Sequence, residues 1–81
     1  MSVTVLVFAR LREVVGSPEV IRHVSSPAAV ADVWQAMVAE WPALAPYANS
    51  LSCAVNARHA RMTTAVGEGD AVAFLPPVSG G

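Results

Sequence analysis

The 81-residue chain contains no lysine, and all five of its basic residues are arginine. Charged residues make up only 14% of the sequence and the net charge is −1, which excludes the basic surface of a nucleic-acid-binding protein. Hydrophobic residues make up 54%, which excludes a disordered chain, because disorder requires low hydrophobicity and high charge. The composition therefore predicts one folded domain with an apolar surface that suits a protein partner.

Cysteine is also scarce, since Cys53 is the single cysteine of the sequence. One cysteine excludes both an internal disulfide and a Cys-x-x-Cys site. Its apolar neighbours indicate a small core residue and not a nucleophile. A free thiol fits a reducing compartment, so we expect a cytoplasmic protein. The apolar run from Val3 to Ala9 has no basic residue before it and is too short for a membrane span, so we expect neither a signal peptide nor membrane association.

Recognisable catalytic and metal-binding spacings are absent as well. His23 and His59 are far apart and have no ligand partner at metal-binding spacing, so we predict no metal site. Gly67 and Gly69 precede a strand instead of a helix, which indicates a turn and not a phosphate-binding loop. The six carboxylates show no pairing for acid–base catalysis, and Asp32 is expected to be a solvated helix residue.

Hydrophobic periodicity predicts five strands. The run Val3 to Phe8 predicts a central strand buried on both faces, and the short helical turn after it is predicted to end at Gly16. The alternating stretch from Glu19 to Val24 predicts an antiparallel neighbour. A tight turn is predicted at Asn56-Ala57, where Asn56 can adopt positive φ. The other strands are predicted at Cys53 to Val55, Arg58 to Met62 and Ala71 to Leu75.

One main helix is predicted between the two halves of the sheet. Ser26 and Pro27 have the residue types that begin helices, and Pro42 should end the helix. Its apolar stripe is predicted to contain Val30, Val33, Trp34, Met37 and Trp41.

The order strand, strand, helix, strand, strand, strand predicts an α+β fold with the helix packed across a mixed sheet. The first and last strands are the most apolar, so they should be central neighbours. The arrangement predicted is the β-grasp fold, with residues 1–75 forming the domain and residues 76–81 an extended functional tail.

The tail has an unusual composition, with Pro76 and Pro77 followed by Val78, Ser79, Gly80 and Gly81. The two prolines cannot continue a sheet ladder and keep the chain extended, so six residues can reach about 20 Å from the domain. The glycines lack a Cβ and can pass through a narrow channel. These features predict that the tail presents a terminal carboxylate to another protein, although a frayed end is the alternative.

Three stretches of the chain resemble the small subunit of molybdopterin synthase, a ubiquitin-like sulfur carrier. They are Val5 to Gly16, Ala54 to Asn56, and above all Gly69 to Gly81, where a Gly-Asp turn, an apolar strand, Pro-Pro-Val and Gly-Gly follow in order. The resemblance covers nearly the whole chain, although residues 17–52 carry little of it beyond one helix.

This resemblance implies that the reactive group is the carboxylate of Gly81, preceded by Gly80. An activating adenylyltransferase would use ATP to adenylate it, and a sulfur donor enzyme would supply the sulfur for a thiocarboxylate. The small subunit would itself bind no cofactor; Gly81 and Gly80 would be its reactive residues, and its partner would supply the other catalytic groups. The large subunit would direct the sulfur onto cyclic pyranopterin monophosphate within a heterotetramer.

The resemblance also implies a partner surface formed by Phe8, His59 and Leu75, together with the tail from Pro76 to Ser79. Phe8 and Leu75 suit an apolar docking patch, whereas His59 departs from the aliphatic residue such a patch favours. Core packing is the alternative for Phe8.

Two other functions remain open from the sequence, because a terminal carboxylate serves all of them. One is a sulfur carrier for thiamine, cysteine or a thiolated tRNA base, and the other is a ubiquitin-like protein modifier.

The absence of lysine has two interpretations as well. Compositional bias is the simpler one, and the other is that an activated carboxyl group benefits from a chain without amines.

Overall fold

The computed structural model describes residues 1–77, which form a five-stranded mixed sheet with a helix packed on one face. The large sheet has the strand order β2-β1-β7-β4-β5, and β3 pairs with β6 in a second, two-stranded sheet. This arrangement confirms the predicted β-grasp fold. The elements are β1 (Ser2–Val7), α1 (Arg10–Val15), β2 (Glu19–His23), β3 (Ala28–Ala29), α2 (Val30–Glu40), a 3-10 helix (Pro42–Tyr47), β4 (Ser52–Val55), β5 (Arg58–Ala60), β6 (Ala65–Val66) and β7 (Ala71–Leu75).

The first and last strands lie side by side at the centre of the sheet, as predicted. β1 and β7 run parallel, with Val5 opposite Val72 and Val7 opposite Phe74. All four of these side chains are fully buried. β2 extends the sheet beside β1, and β4 pairs antiparallel with the other side of β7.

The prediction that β1 is buried on both faces is wrong. Val3, Val5 and Val7 are buried, whereas the alternate residues Thr4 and Leu6 are only half-buried. The reason is that α2 covers one face of the sheet, and no other element among the described residues covers the second face. An apolar run therefore occurs here in a strand with one partly exposed face.

The predicted stripe of α2 forms the other half of the core. Val30, Val33 and Met37 are fully buried and Trp34 is 5% exposed. The Trp34 ring lies 4.9 Å from the Phe74 ring, centroid to centroid, with the planes tilted by 59°. Such tilted aromatic pairs are favourable beyond the area they bury, so this contact fixes α2 over the central strand β7.

The predicted helix start at Ser26-Pro27 is wrong, because α2 begins at Val30. The first amides of the helix find partners elsewhere: Val30 N–H donates to the Thr64 carbonyl at 2.9 Å and Ala31 N–H to the Met62 carbonyl at 2.8 Å. The carboxylate of Asp32 accepts a hydrogen bond from the N–H of Ala29 at 2.8 Å, which makes Asp32 a capping residue as well as an exposed one.

Two predicted turns are confirmed. Gly16 has φ of 83° and its N–H donates to the Arg12 carbonyl at 2.7 Å, which ends α1 in a left-handed conformation. Asn56 and Ala57 both have positive φ, at 51° and 68°, as the connection between β4 and β5 requires. The fourth predicted strand is shorter than expected, because β5 ends at Ala60.

Arg22 connects the edge strand β2 to the end of α2. Its guanidinium lies 4.7 Å from the centre of the Trp41 ring and forms an ion pair with Glu40 at 2.9 Å. Its Nη1 also donates to the Ile21 carbonyl at 2.6 Å. Val24 exchanges backbone hydrogen bonds with Met1, and the backbone groups of successive residues in an antiparallel strand point alternately toward and away from the neighbouring strand. The Ile21 carbonyl therefore points to the outer edge of the sheet.

We expect Met37→Ala to lower the free energy of unfolding by about 2–5 kcal/mol, because it removes a fully buried side chain and leaves a cavity. Gln35→Ala, at an exposed position of the same helix, is the matched control and should change stability by less than about 0.5 kcal/mol. Chemical denaturation of both variants measures the difference. Equal losses would contradict the packing described for α2.

Candidate functional site

The face of the sheet opposite α2 presents a mostly apolar row that crosses four strands. The register places Leu6 of β1 beside Ala73 of β7, Ala73 beside Ala54 of β4, and Ala54 beside His59 of β5. Leu6, Ala73 and Ala54 are half-buried and His59 is exposed. This surface, which we call the open face, is a flat and accessible area without charge at its centre.

Phe8 and Leu75 come next along the two central strands. Val7 pairs with Phe74, so the residues that follow, Phe8 and Leu75, leave β1 and β7 at the same end of the sheet. Side chains alternate along a strand, so both belong to the open face rather than to the core. Each is 36% exposed, so two large apolar side chains reach the surface at the same end of the sheet. Their partial exposure agrees with the expected exposure of these two side chains, while docking of a partner on this patch stays a prediction.

The backbone next to Phe8 has an uncommon conformation. Ala9 has φ of 52° and ψ of −125°, which non-glycine residues rarely adopt. Leu11 N–H donates to the Phe8 carbonyl at 3.1 Å, and the Arg12 guanidinium lies 5.7 Å from the Phe8 ring centre. Strained backbone of this kind tends to occur at functional sites, where surrounding contacts maintain it. Here these contacts hold the Phe8 ring in place beside the exit of β7.

His59 lies on the open face, as the resemblance implied, at the outer strand β5. Its neighbour in the row is Ala54, so the imidazole borders the apolar area instead of filling its centre. A polar side chain is compatible with this border position, because the rim of a protein interface can be polar. A contact between His59 and a partner stays a prediction.

The tail begins directly at the end of the central strand. β7 ends at Leu75, Pro76 is half-buried and Pro77 is exposed. Neither proline has an N–H to donate, so the sheet ladder stops where the docking patch lies. The other predicted tail residues, Val78, Ser79, Gly80 and Gly81, lie outside the described residues.

A network of hydrogen bonds holds the opposite end of β7. Asn56 donates through Nδ2 to Asp70 at 3.0 Å and accepts from the N–H of Ala71 at 2.9 Å. Asp70 also accepts from the N–H of Gly67 at 2.7 Å. The hydrogen bond from Asn56, and then that from Gly67, lowers the pKa of Asp70 below its ordinary value. The turn between β4 and β5 is thereby joined to the start of β7.

Enclosed sites were not found in the part of the chain that the structure describes. Residues 1–77 contain no cavity able to hold a small molecule and no group of three or more metal-ligating side chains. No helix among them is both long and apolar enough to cross a membrane. The candidate functional regions are therefore the open face, which includes Phe8 and Leu75, and the tail that follows β7.

Comparison with protein families agrees with this geometry. Residues 5–81 match the model of the ThiS family, which therefore extends over nearly the whole sequence, including the tail. The chain belongs to the ThiS family. Its members are ubiquitin-like sulfur carriers, so the domain described above is a sulfur carrier.

Relatives of this ThiS-family chain include small archaeal modifier proteins and molybdopterin synthase sulfur carrier subunits. Small archaeal modifier protein 3 of Haloferax volcanii is 38% identical, over 91% of this chain and 92% of the relative. The molybdopterin synthase sulfur carrier subunit of Chlamydomonas reinhardtii is 35% identical over the full length of both. Among solved structures, SAMP1 from Haloferax volcanii covers the whole of both chains at 33% identity with a TM-score of 0.87.

Sequence reasoning missed part of the site of this ThiS-family chain. Leu6, Ala54 and Ala73 were assigned to strands but not to a common exposed face, although strand alternation relative to Phe8 and Leu75 would have indicated it. The pairing of Asn56 with Asp70 was also missed, since their 14-residue separation gives no local signal.

We expect Asp70→Asn to lower stability near neutral pH and to make it less dependent on pH. The folded-state pKa of Asp70 is lowered, so its ionised form stabilises the fold above the unfolded pKa, and this contribution is lost as pH falls through the folded pKa. The difference in Tm between the native chain and Asp70→Asn should therefore shrink below about pH 4. Glu19→Gln, at an exposed strand position, is the control. A constant difference down to acidic pH would contradict the role of the charge.

Proposed function

We propose that this ThiS-family protein carries sulfur as a thiocarboxylate on Gly81 and donates it during molybdopterin synthesis. The observation that carries the proposal is the exit of the tail from the central strand β7, directly beside Phe8 and Leu75. A partner that docks on this patch receives the tail at a defined place. The relationship to a molybdopterin synthase sulfur carrier subunit over the full chain supports the same pathway.

The proposed reaction begins with the poorly electrophilic carboxylate of Gly81. An activating adenylyltransferase forms an acyl-adenylate with ATP and releases pyrophosphate. The persulfide of a donor enzyme then attacks the acyl carbon, AMP leaves, and an acyl disulfide forms. A second thiol attacks the donor sulfur of this disulfide, so that the S–S bond breaks, the thiol and the donor are oxidised to a disulfide, and the thiocarboxylate is released. This soft anionic nucleophile stays attached to the protein and does not diffuse away as sulfide.

In the final step, the large subunit of the synthase takes in the tail and directs the thiocarboxylate sulfur onto cyclic pyranopterin monophosphate. Two small subunits would bind one large-subunit dimer in a heterotetramer. Phe8, Leu75 and His59 would contact the large subunit, while Pro76 to Ser79 would span its channel. The small subunit contributes positioning and effective concentration, and the catalytic groups belong to its partners.

A protein-modifier function is the second candidate. The observation in its favour is the 38% identity to small archaeal modifier protein 3 of Haloferax volcanii. Mass spectrometry of the protein from cells separates the two functions. A mass increase corresponding to the replacement of one oxygen by sulfur supports a carrier, whereas amide adducts with other proteins support a modifier. Carriers for thiamine, cysteine or tRNA thiolation would require another sulfur acceptor in place of the pterin.

Removal of Gly81 should abolish sulfur transfer while leaving the fold intact. The deletion moves the reacting carbon by about 3.5 Å, and displacements of about 1 Å can already cost a hundredfold in rate. Stability should hardly change, because the deleted residue follows the last strand of the domain. The measurement is transfer to the pterin precursor with purified activating enzyme and large subunit, together with a melting curve.

A second variant of the tail provides the control for this experiment. Gly80→Ala keeps the position of the carboxylate but adds a methyl group, so it should reduce transfer less than the deletion does. Full activity without Gly81 would contradict the proposed role of the terminal carboxylate.

Truncation of Phe8 should weaken binding to the large subunit without unfolding the domain. An apolar anchor at the centre of an interface typically contributes at least about 2 kcal/mol, so Phe8→Ala should reduce affinity by about 30-fold or more. Ile21→Ala is the matched control, because Ile21 is 59% exposed and lies on the edge strand β2. Isothermal titration calorimetry measures both. If the two substitutions weaken binding equally, the patch is not centred on Phe8.

A further inference from the structure

An activated acyl group reacts with amines and thiols, so the nucleophiles of the carrier itself matter. The sequence contains no lysine, and its basic side chains are all guanidinium groups, which stay protonated and are poor nucleophiles. The amino and thiol groups of this 81-residue chain are therefore the α-amine of Met1 and the thiol of Cys53. The fold determines how accessible each of them is.

Cys53 is withdrawn into the core. It lies on the face of β4 that α2 covers, between Phe74 of β7 and Ala60 of β5, and is only 5% exposed. Burial raises the pKa of the Cys53 thiol, because it disfavours the thiolate. Since the thiolate is the nucleophilic form, the folded domain protects an acyl group from Cys53 both sterically and chemically.

The α-amine is engaged at the end of the sheet. The Met1 ammonium donates to the Val24 carbonyl at 2.8 Å, and Val24 N–H donates back to the Met1 carbonyl at 2.9 Å. The pair continues the β1–β2 ladder by one step, and Met1 is half-buried beside the core. Acylation of this nitrogen would require the ladder to open first and would place a bulky chain at its end.

We propose that the folded domain is inert toward its own activated carboxyl group, so that the acyl group on Gly81 passes only to a nucleophile supplied by another kind of protein. This inference rests on the proposed activation of Gly81 and extends it to the choice of acceptor. One copy cannot become the acceptor of the next, so the product is a thiocarboxylate or a single amide adduct and never a lysine-linked polymer.

The test uses the 81-residue chain prepared as a chemical thioester at Gly81, which bypasses the activating enzyme. In self-acylation, an amine nitrogen attacks the acyl carbon, the C–N bond forms, the C–S bond breaks, and the small thiol leaves with a proton. We compare the native chain with Arg61→Lys, which places one amine at an exposed position, and with Arg61→Gln as the matched control. Incubation at about pH 8.5 keeps a fraction of lysine amines neutral and reactive.

The native chain and Arg61→Gln should lose the thioester only by hydrolysis, which also removes any short-lived acyl group on a histidine. Arg61→Lys should give covalent dimers or an intramolecular amide, at least about tenfold more than the native chain, because it supplies an unprotected amine. Intact-mass measurement and peptide mapping locate the bond. Equal amounts of adduct in the native chain and in Arg61→Lys would overturn the inference.

Two further samples test the part played by the fold. A chain extended by Gly-Ser-Gly before Met1 carries its amine away from Val24 and should self-acylate about tenfold faster, since one hydrogen bond of about 1.4 kcal/mol corresponds to that factor. The native thioester in urea should show acyl exchange at Cys53 that the folded sample does not. Adducts on Met1 or Cys53 of the folded native chain would overturn the inference.

The proposed function is tested separately by giving the native chain ATP, the activating enzyme and a sulfur donor. Failure to form a thiocarboxylate there would count against the proposed function, while the thioester measurements would still decide whether the domain is inert.

Discussion

The parallel pairing of β1 with β7 brings the beginning and the end of the domain together. Four fully buried side chains, Val5, Val7, Val72 and Phe74, hold the two strands at the centre of the sheet. Because the strands run in the same direction, both finish at the same edge. The tail therefore leaves β7 where β1 turns into α1 at Phe8, and no other pairing of these strands would place the docking patch beside the tail.

Covering only one face of the sheet has a direct functional result. The helix α2 packs on the face of the sheet that contains Phe74 and Cys53. Their chain neighbours Ala73 and Ala54 point to the opposite face and are only half-buried. A domain of this size has a core too small to enclose a substrate, and residues 1–77 contain no cavity that could hold one. The described domain therefore offers its surface, and not an enclosed cavity, for recognition.

Much of the fold was predictable because its signals are local. The apolar stripe of α2, the left-handed position of Gly16 and the turn at Asn56 each follow from the residues concerned. The start of α2 was not predictable in this way, since its first amides bind carbonyls of Met62 and Thr64, more than thirty residues away in the chain. The two-residue strands β3 and β6 are too short for any periodicity and exist because of the same tertiary contact.

The site was predictable to a similar extent. The positions of Phe8, Leu75 and His59 on one face came from a family resemblance, and strand register explains why these three share it. Their surroundings could not be predicted, because the strained backbone of Ala9 and the Arg12 guanidinium near Phe8 depend on how α1 folds back over the end of β1. The protected state of the Met1 amine likewise depends on a partner 23 residues away.

The two prolines that follow Leu75 also have a mechanical consequence. A pull on the tail would act along the axis of β7, which is hydrogen-bonded to β1 on one side and to β4 on the other. The load is then shared as shear across both ladders, instead of peeling one hydrogen bond after another as it would at an edge strand. Attachment of the tail to this central strand would therefore let the domain keep its shape while the tail is under load.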